Sequence, residues 1–399
     1  MNPTKRYLAI LACTFGALCA ATSALGVAVD PYYLFGTPLV SGWNQLKPAA
    51  YERSAAAKTR LLERAAPRTL LIGNSRIEVG LDPESPEWPI AMRPVFNAGL
   101  GGRDLTMSAK FLEDALAGPG LQHALVGVDV LDFLQEDTVA PPPGPVYGGT
   151  DQNRMRVLPD MTPNPGMLRA RTEDVFASIL TLDAVIDGVT TVFGQGGAAT
   201  MTPLGFNPLQ EYRDYVKLHG FRDLFDQKQV QYVTRFPKYI HPDFADPYRT
   251  RNFRALREIL QTAEAKKLDL TLIIYPYHAW VMDLIRSTGI WGSFEAWKRA
   301  LVRVVAEQDP VHRVRLVDFS GYNIYTKEAV PAVGDFTTEL RWYWEPGHFR
   351  PALGDRIIDR LYDGRNDGFG RDLSATTLDD VIAAIRQEVM AKASAASRN

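Results

Sequence analysis

Short apolar runs recur along the chain at Thr69–Ile72, Val95–Asn97, Ala124–Val130, Leu268–Tyr275 and Val314–Phe319. Each is followed by turn residues and then by a stretch with helical spacing. "HALVGVDVLDF" and "LDLTLIIYP" are almost continuously apolar, the pattern of a strand covered on both faces. "DLTMSAKFLEDALAG" and "FRALREILQTAEAKK" instead repeat their apolar residues at helical intervals, and Ala49–Ala66 reads as a helix stopped by Pro67. Five such strands with helices between them predict an α/β fold built on a doubly wound parallel sheet.

Two segments break this rhythm. "APPPGPVYGG" (Ala140–Gly149) reads as a rigid, turn-rich connector and "FGQGGAATMTPLG" (Phe193–Gly205) as a flexible one. Between them, Thr172–Phe193 reads as one amphipathic helix with Thr172 as its N-cap. Residues from about 140 to 248 are therefore expected to form an insertion between the third and fourth strands. It would lie over the C-terminal edge of the sheet, where open α/β folds bind ligands. The tail from Thr376 reads as a last helix with a frayed end.

A different pattern opens the chain. "MNPTKR" leads into Tyr7–Val29, a run without a charged residue. At about 1.5 Å per residue it spans roughly 34 Å, enough for a bilayer core. Lys5 and Arg6 favour a cytoplasmic N-terminus with the remainder exported. Ala20, Ala21 and Ala24 offer small residues for signal-peptide cleavage. The length of the run and the lack of a clear A-x-A site favour an uncleaved anchor over residues 1–30. The expectation is one membrane pass, with residues 31–399 outside the cytoplasmic membrane (periplasmic in a Gram-negative cell).

Composition changes this picture little. The formal net charge of −2 gives no electrostatic reason to expect nucleic acid. Both cysteines, Cys13 and Cys19, lie inside the apolar run, so the exported part has no thiol, disulfide or Cys-based metal site. No metal or cofactor is expected.

The chemistry begins at "TLLIGNSRIEVG", where Ser75 follows the first strand. A helix starting there would point its first N–H groups at the same spot. A serine needs a base to become nucleophilic, and there are six histidines. His123 and His312 read as surface residues, His219 and His241 fall in the insertion, and His278 follows strand four. In "WYWEPGHFRP", Glu345 lies three residues before His348 across a Pro-Gly turn. That spacing lets the carboxylate hold one imidazole nitrogen and leaves the other free to take a proton. The same residues also suit a helix cap and a packed core histidine. The clustered rings of Trp342, Tyr343 and Trp344 suit a core, or a sugar-stacking cleft mouth.

"IGNSR", "NAGLGG" and "EPGH", in this order, resemble the blocks of the SGNH (GDSL) hydrolase superfamily. The resemblance covers roughly residues 68–135 and 265–365. It implies a flavodoxin-like three-layer sandwich with a central parallel sheet of about five strands. It also implies Ser75 as nucleophile, His348 as base, Glu345 in place of the family's Asp, and the amides of Ser75 and Gly102 as oxyanion donors. Asn74, Arg76 and Asn97 come from the same blocks and are expected to line the cleft, as are His278 and Trp344. The third block departs from the family. Where an Asn normally completes the oxyanion hole, "GVDVLDF" has Asp129 and Asp132. A carboxylate facing a developing oxyanion repels it, and losing one donor costs about 10²–10³ in rate.

The layout is similar to exported SGNH-like proteins that add or remove acyl groups on envelope or secreted polysaccharide. The expected activity is therefore a serine esterase or O-acyltransferase on an acylated glycan. The alternative is a non-catalytic scaffold of the same fold that binds glycan or a protein partner.

Overall fold

In this computed structural model, residues 2–134, 151–239, 244–309, 313–364 and 367–396 are described. The "APPPGPVYGG" connector, His241 and His312 lie outside them.

All five expected strands form, each within a residue or two of its apolar run: β1 (Thr69–Ile72), β2 (Val95–Asn97), β3 (His123–Val128), β4 (Asp269–Ile274) and β5 (Arg315–Asp318). They pair in parallel in the order β2–β1–β3–β4–β5. Register runs Leu70↔Phe96, Leu70↔Ala124, Val126↔Leu272 and Leu272↔Leu316, so the C-terminal strand ends share one edge. Leu70, Leu71, Ile72, Val126 and Ile274 are fully buried, as near-continuous apolar strands require. Two features went unread in the sequence. A short antiparallel ribbon joins β6 (Tyr343–Glu345) to β7 (His348–Phe349), and β8 (Arg371–Asp372) pairs antiparallel with β5. The six-stranded sheet is thus mixed, though mostly parallel.

The helices are α1 (Pro3–Val29), α2 (Ser54–Ala65), α3 (Ser75–Gly80), α4 (Leu105–Leu116), α5 (Val130–Leu134), α6 (Met167–Ile179) and α7 (Leu182–Phe193). They continue with α8 (Gln210–Arg235), α9 (Arg251–Lys266), α10 (Ala279–Ser287), α11 (Trp291–Gln308), α12 (Pro351–Ile358) and α13 (Leu378–Ala396). Helix α9 packs between α4 and α11. Phe133 locks α5 into this layer, its ring 4.6 Å from Phe253 and 5.5 Å from Trp297.

α1 is long and apolar enough to cross a bilayer. Its C-terminal end is fastened to the rest of the protein. Lys47 is buried and donates from Nζ to the carbonyls of Val29 at 2.9 Å and Asp30 at 2.7 Å, groups a helix end leaves unpaired. Burial lowers the Lys47 ammonium to about 8, against the pull of Asp30. The Asp30 carboxylate in turn accepts the N–H groups of Leu34 at 2.7 Å and Gly36 at 2.9 Å, folding the aromatic turn back on itself.

The region between β3 and β4 corrects two expectations. Thr172–Phe193 is not one helix. It breaks after Leu180, and α6 and α7 meet at 65°. Thr181 takes an extended conformation and its hydroxyl accepts the Ala184 N–H at 3.2 Å, capping α7, whereas Thr172 lies inside α6. "FGQGGAATMTPLG" is also more than a flexible link. Leu204 accepts the Asn97 N–H at 2.9 Å, so the end of this segment lies against the free edge of β2. Helix α8, bent at Gly220, packs against β6 and α10.

Candidate active site

Ser75 is the first residue of α3, directly beyond β1. Asn74 caps that helix, its Oδ1 accepting the Arg76 N–H at 3.1 Å. The six-residue helix is short, and its course is fixed by side chains rather than by its own length. Ser75 Oγ lies 2.7 Å from His348 Nε2. His348 begins β7, and its Nδ1 meets Glu345 Oε1 at the end of β6. A carboxylate only accepts, so Nδ1 carries the proton and Nε2 is left to accept from the serine hydroxyl. Glu345 is buried, and its second oxygen accepts the Gly347 N–H at 2.9 Å. Burial pushes the Glu345 carboxyl up, but the His348 imidazole and the Gly347 amide outweigh it and hold the group below its usual range. A serine, an imidazole and a buried carboxylate joined in this order can carry out nucleophilic acyl chemistry.

Ser75, Gly102 and His348 open onto one cleft of about 210 Å³, together with Asn74, Arg76, Asp129 and Asp132. The third-block carboxylate does not face this cleft as an isolated charge. Asp129 is buried and pairs with the Arg76 guanidinium. It also accepts from Asn74 Nδ2 at 2.9 Å, Tyr277 Oη at 2.9 Å and the Leu131 N–H at 3.0 Å. Asn74 Nδ2 reaches Asp132 as well, at 3.1 Å. A carboxylate at position 74 would face two others, whereas Asn74 donates to both. Burial and then the Asp129 charge push the Asp132 carboxyl well above its usual range, with Arg76 and Asn74 pulling the other way. A carboxyl so shifted keeps its proton further up the pH scale, and a protonated carboxyl can donate a hydrogen bond.

Three residues expected in the cleft are elsewhere. Asn97 is fully buried and joins α3 to the loop after β2. Its Nδ2 donates to the carbonyls of Ile77 and Leu81 at 2.8 Å, and its Oδ1 accepts the Gly99 N–H at 2.9 Å. His278 caps α10, accepting the Trp280 N–H at 3.2 Å and donating to the Glu328 carbonyl at 3.0 Å. Burial drives its imidazole down to about 4, so it stays neutral as a core residue. Trp344 is buried between Arg350 and Phe221. Trp342 packs on Tyr325, and Tyr343 is fully buried, donating to the Pro276 carbonyl at 2.8 Å. The aromatic cluster is core.

Two rings beside His348 and its turn come from α8 and carried no motif. Tyr212 stands edge-on to His348 at 6.2 Å. Tyr232 lines the cleft with Arg235 and Tyr239. A Cβ on residue 347 would lie 1.9 Å from Tyr232 Oη, so only glycine fits in the Glu345–His348 turn. Burial, reinforced by the Glu345 charge, raises the Tyr212 and Tyr232 phenols, which keep their protons.

A buried ion pair braces the loop that carries Gly102. Lys58 on α2 and Glu78 on α3 are both fully buried, 3.0 Å apart. Lys58 also donates to the Gly99 carbonyl, and Glu78 Oε2 accepts the Gly101 N–H at 3.0 Å. Burial lowers the Lys58 ammonium and Glu78 opposes the shift. Lys58→Met strands the Glu78 carboxylate and is expected to cost about 3–5 kcal/mol in denaturant unfolding. Lys58→Met/Glu78→Leu should recover much of that loss, because it removes both charges.

Comparison with protein-family models finds no match, and comparison with curated proteins finds none either.

Proposed function

We propose that this protein is a membrane-anchored, exported serine acyl-ester hydrolase or O-acyltransferase of the SGNH-like kind, acting on acylated envelope or secreted polysaccharide. The observation that carries this reading is the Ser75 Oγ to His348 Nε2 contact of 2.7 Å, with buried Glu345 behind the ring. The strand order supports a flavodoxin-like three-layer arrangement, and the cleft lies at the β1/β3 switch point, the position such sheets use for ligands.

In this mechanism Ser75 Oγ attacks the ester carbonyl carbon while His348 Nε2 takes its proton. The C–O bond to the sugar breaks, and the departing alkoxide receives that proton. Water or an acceptor hydroxyl, activated by the same nitrogen, then releases the acyl group from Ser75. Glu345 holds the ring and stabilises its charged form. The Ser75 and Gly102 amides hold the oxyanion, and Asp132, which lines the same cleft, takes the place of the family's Asn when its carboxyl carries a proton. The lining is polar, with Arg103, Arg235, Arg251 and Asn252 around the single aliphatic side chain of Leu131. That suits a hydroxyl-rich substrate bearing a short acyl group. Hydrolysis or transfer is decided by which hydroxyl reaches the acyl-enzyme.

A fluorophosphonate probe on the full chain in detergent tests this. Covalent labelling is expected in the wild type and lost in Ser75→Ala. Labelling that persists in Ser75→Ala, or a folded wild type that never labels, overturns the catalytic reading; the second result favours a glycan-binding scaffold.

A further inference from the structure

Helices α6 and α7 present their apolar side chains the wrong way round for a water-soluble surface. On α7, Leu182, Ile186, Val189 and Phe193 recur at helical spacing and are exposed, by 74%, 53%, 42% and 85%. The opposite face carries the small buried residues Ala184, Gly188 and Thr191. Phe176 and Leu180, 56% and 47% exposed, extend the outward stripe across the bend onto α6. Scattered exposed apolar residues need no explanation, but a continuous stripe of six does.

What the inner face packs against supplies that explanation. Gly188 rests on Leu25 of α1, and the α6–α7 corner sits on Gly26. A Cβ at Gly26 would meet the Ser178 carbonyl oxygen at 2.9 Å and Ile179 Cγ2 at 3.2 Å. Gly26 lies three residues before the end of the uncharged run, roughly 4–5 Å inside the far boundary of a bilayer that α1 crosses. Lys47 and Asp30 fix the α1 end to the globular part, so α6 and α7 cannot drift away from that boundary. The loop after α1 continues the surface. Leu39, Val40 and Trp43 are exposed, and Leu46 is hydrogen-bonded through both N–H and C=O to Gln195 just past α7. A Trp at this level is the usual marker of a membrane–water boundary. Charged residues collect at the other end of α6, where Arg169 and Glu173 pair at 2.8 Å in solvent.

We propose that α6 and α7 form a second membrane-contact element. Its stripe, Phe176, Leu180, Leu182, Ile186, Val189 and Phe193, lies in the headgroup–acyl boundary of the bilayer that α1 spans. The proposal rests on the anchor part of the functional reading and is independent of the catalytic part. Such a helix pair lies in the interface without crossing it, held by its buried apolar area. The globular part is then seated on the membrane in one orientation.

Site-directed spin labelling of the full chain in phosphatidylcholine/phosphatidylglycerol vesicles tests this. Cys13→Ala/Cys19→Ala provides the background, and single cysteines replace Ile186, Phe193, Phe15, Ile90 and Val333. Phe15 reports on α1, and the exposed Ile90 and Val333 report on the aqueous surface. The ratio of O₂ to nickel-chelate collision rates is expected to be severalfold higher at positions 186 and 193 than at 90 and 333, approaching that at 15. Water-like ratios at 186 and 193 with a bilayer-like ratio at 15 overturn the proposal and leave the anchor standing. A water-like ratio at 15 overturns the anchor and the proposal together. Spin–spin broadening at 186 and 193 that grows with protein density identifies a second copy on this face and also overturns the proposal.

Discussion

His348→Ala is expected to lower turnover of a short-chain activated ester by about 10⁴–10⁶-fold, with little change in KM. The imidazole is the only base in contact with Ser75 Oγ among the described residues, and the hydroxyl is a poor nucleophile without it. Binding of the acyl group uses other parts of the cleft, so the loss should fall on kcat. Glu345→Gln should follow with a loss of about 10⁴-fold, because the amide can present N–H to Nδ1 and so favour the wrong tautomer. Glu345→Asp should retain more activity than Glu345→Gln if the shorter carboxylate reaches the ring. Steady-state kinetics on the three variants, beside Ser75→Ala, check the ordering. Equal rates for Glu345→Gln and the wild type would remove the carboxylate from the mechanism.

Arg76→Met is expected to be as destabilising as Lys58→Met, by about 3–5 kcal/mol. It leaves the buried Asp129 without its cation, facing only the neutral donors Asn74, Tyr277 and the Leu131 N–H. Asp132 sets a pH dependence. Its folded-state pKa is raised, so the stabilisation from its proton is complete below the ordinary carboxylate range. That stabilisation is lost as pH rises through the shifted value. Asp132→Asn should remove this contribution, so unfolding midpoints should fall less steeply with rising pH than in the wild type, the remainder coming from other carboxyls raised by burial such as Asp114 and Glu328. It also supplies a permanent donor, so its activity should hold at high pH where the wild type declines. An Asp132→Asn enzyme as pH-sensitive as the wild type would show that the carboxyl is not the group titrating.

The five parallel strands were legible because burial on both faces demands runs such as "LTLII" that few other structures need. The β6–β7 ribbon was not, since three and two residues leave no period to read. The break after Leu180 was hidden because Thr181 is a small polar residue in an apolar stretch, and its capping role depends on a backbone angle. The proximity of Ser75, Glu345 and His348 could be anticipated because one follows a strand and the other two share a tight turn. Direction could not be read: Asn97, His278 and Trp344 sit near the right edge of the sheet but point into packing. The partnership of Arg76 with Asp129 crosses 53 residues, and Tyr212 reaches His348, and Tyr232 the neighbouring Gly347, from a different part of the chain altogether. Nothing local in either stretch announces such contacts.

The serine and its base stand 273 residues apart, and the base sits on a ribbon near the end of the chain. A polypeptide is synthesised from its N-terminus, so Ser75 emerges early, as an ordinary alcohol. It acquires a proton acceptor only after the intervening helices have been made and β6–β7 has docked. Under the proposed mechanism, reactivity toward an ester therefore requires the β6–β7 ribbon to be in place, and a fragment ending before Glu345 should lack it.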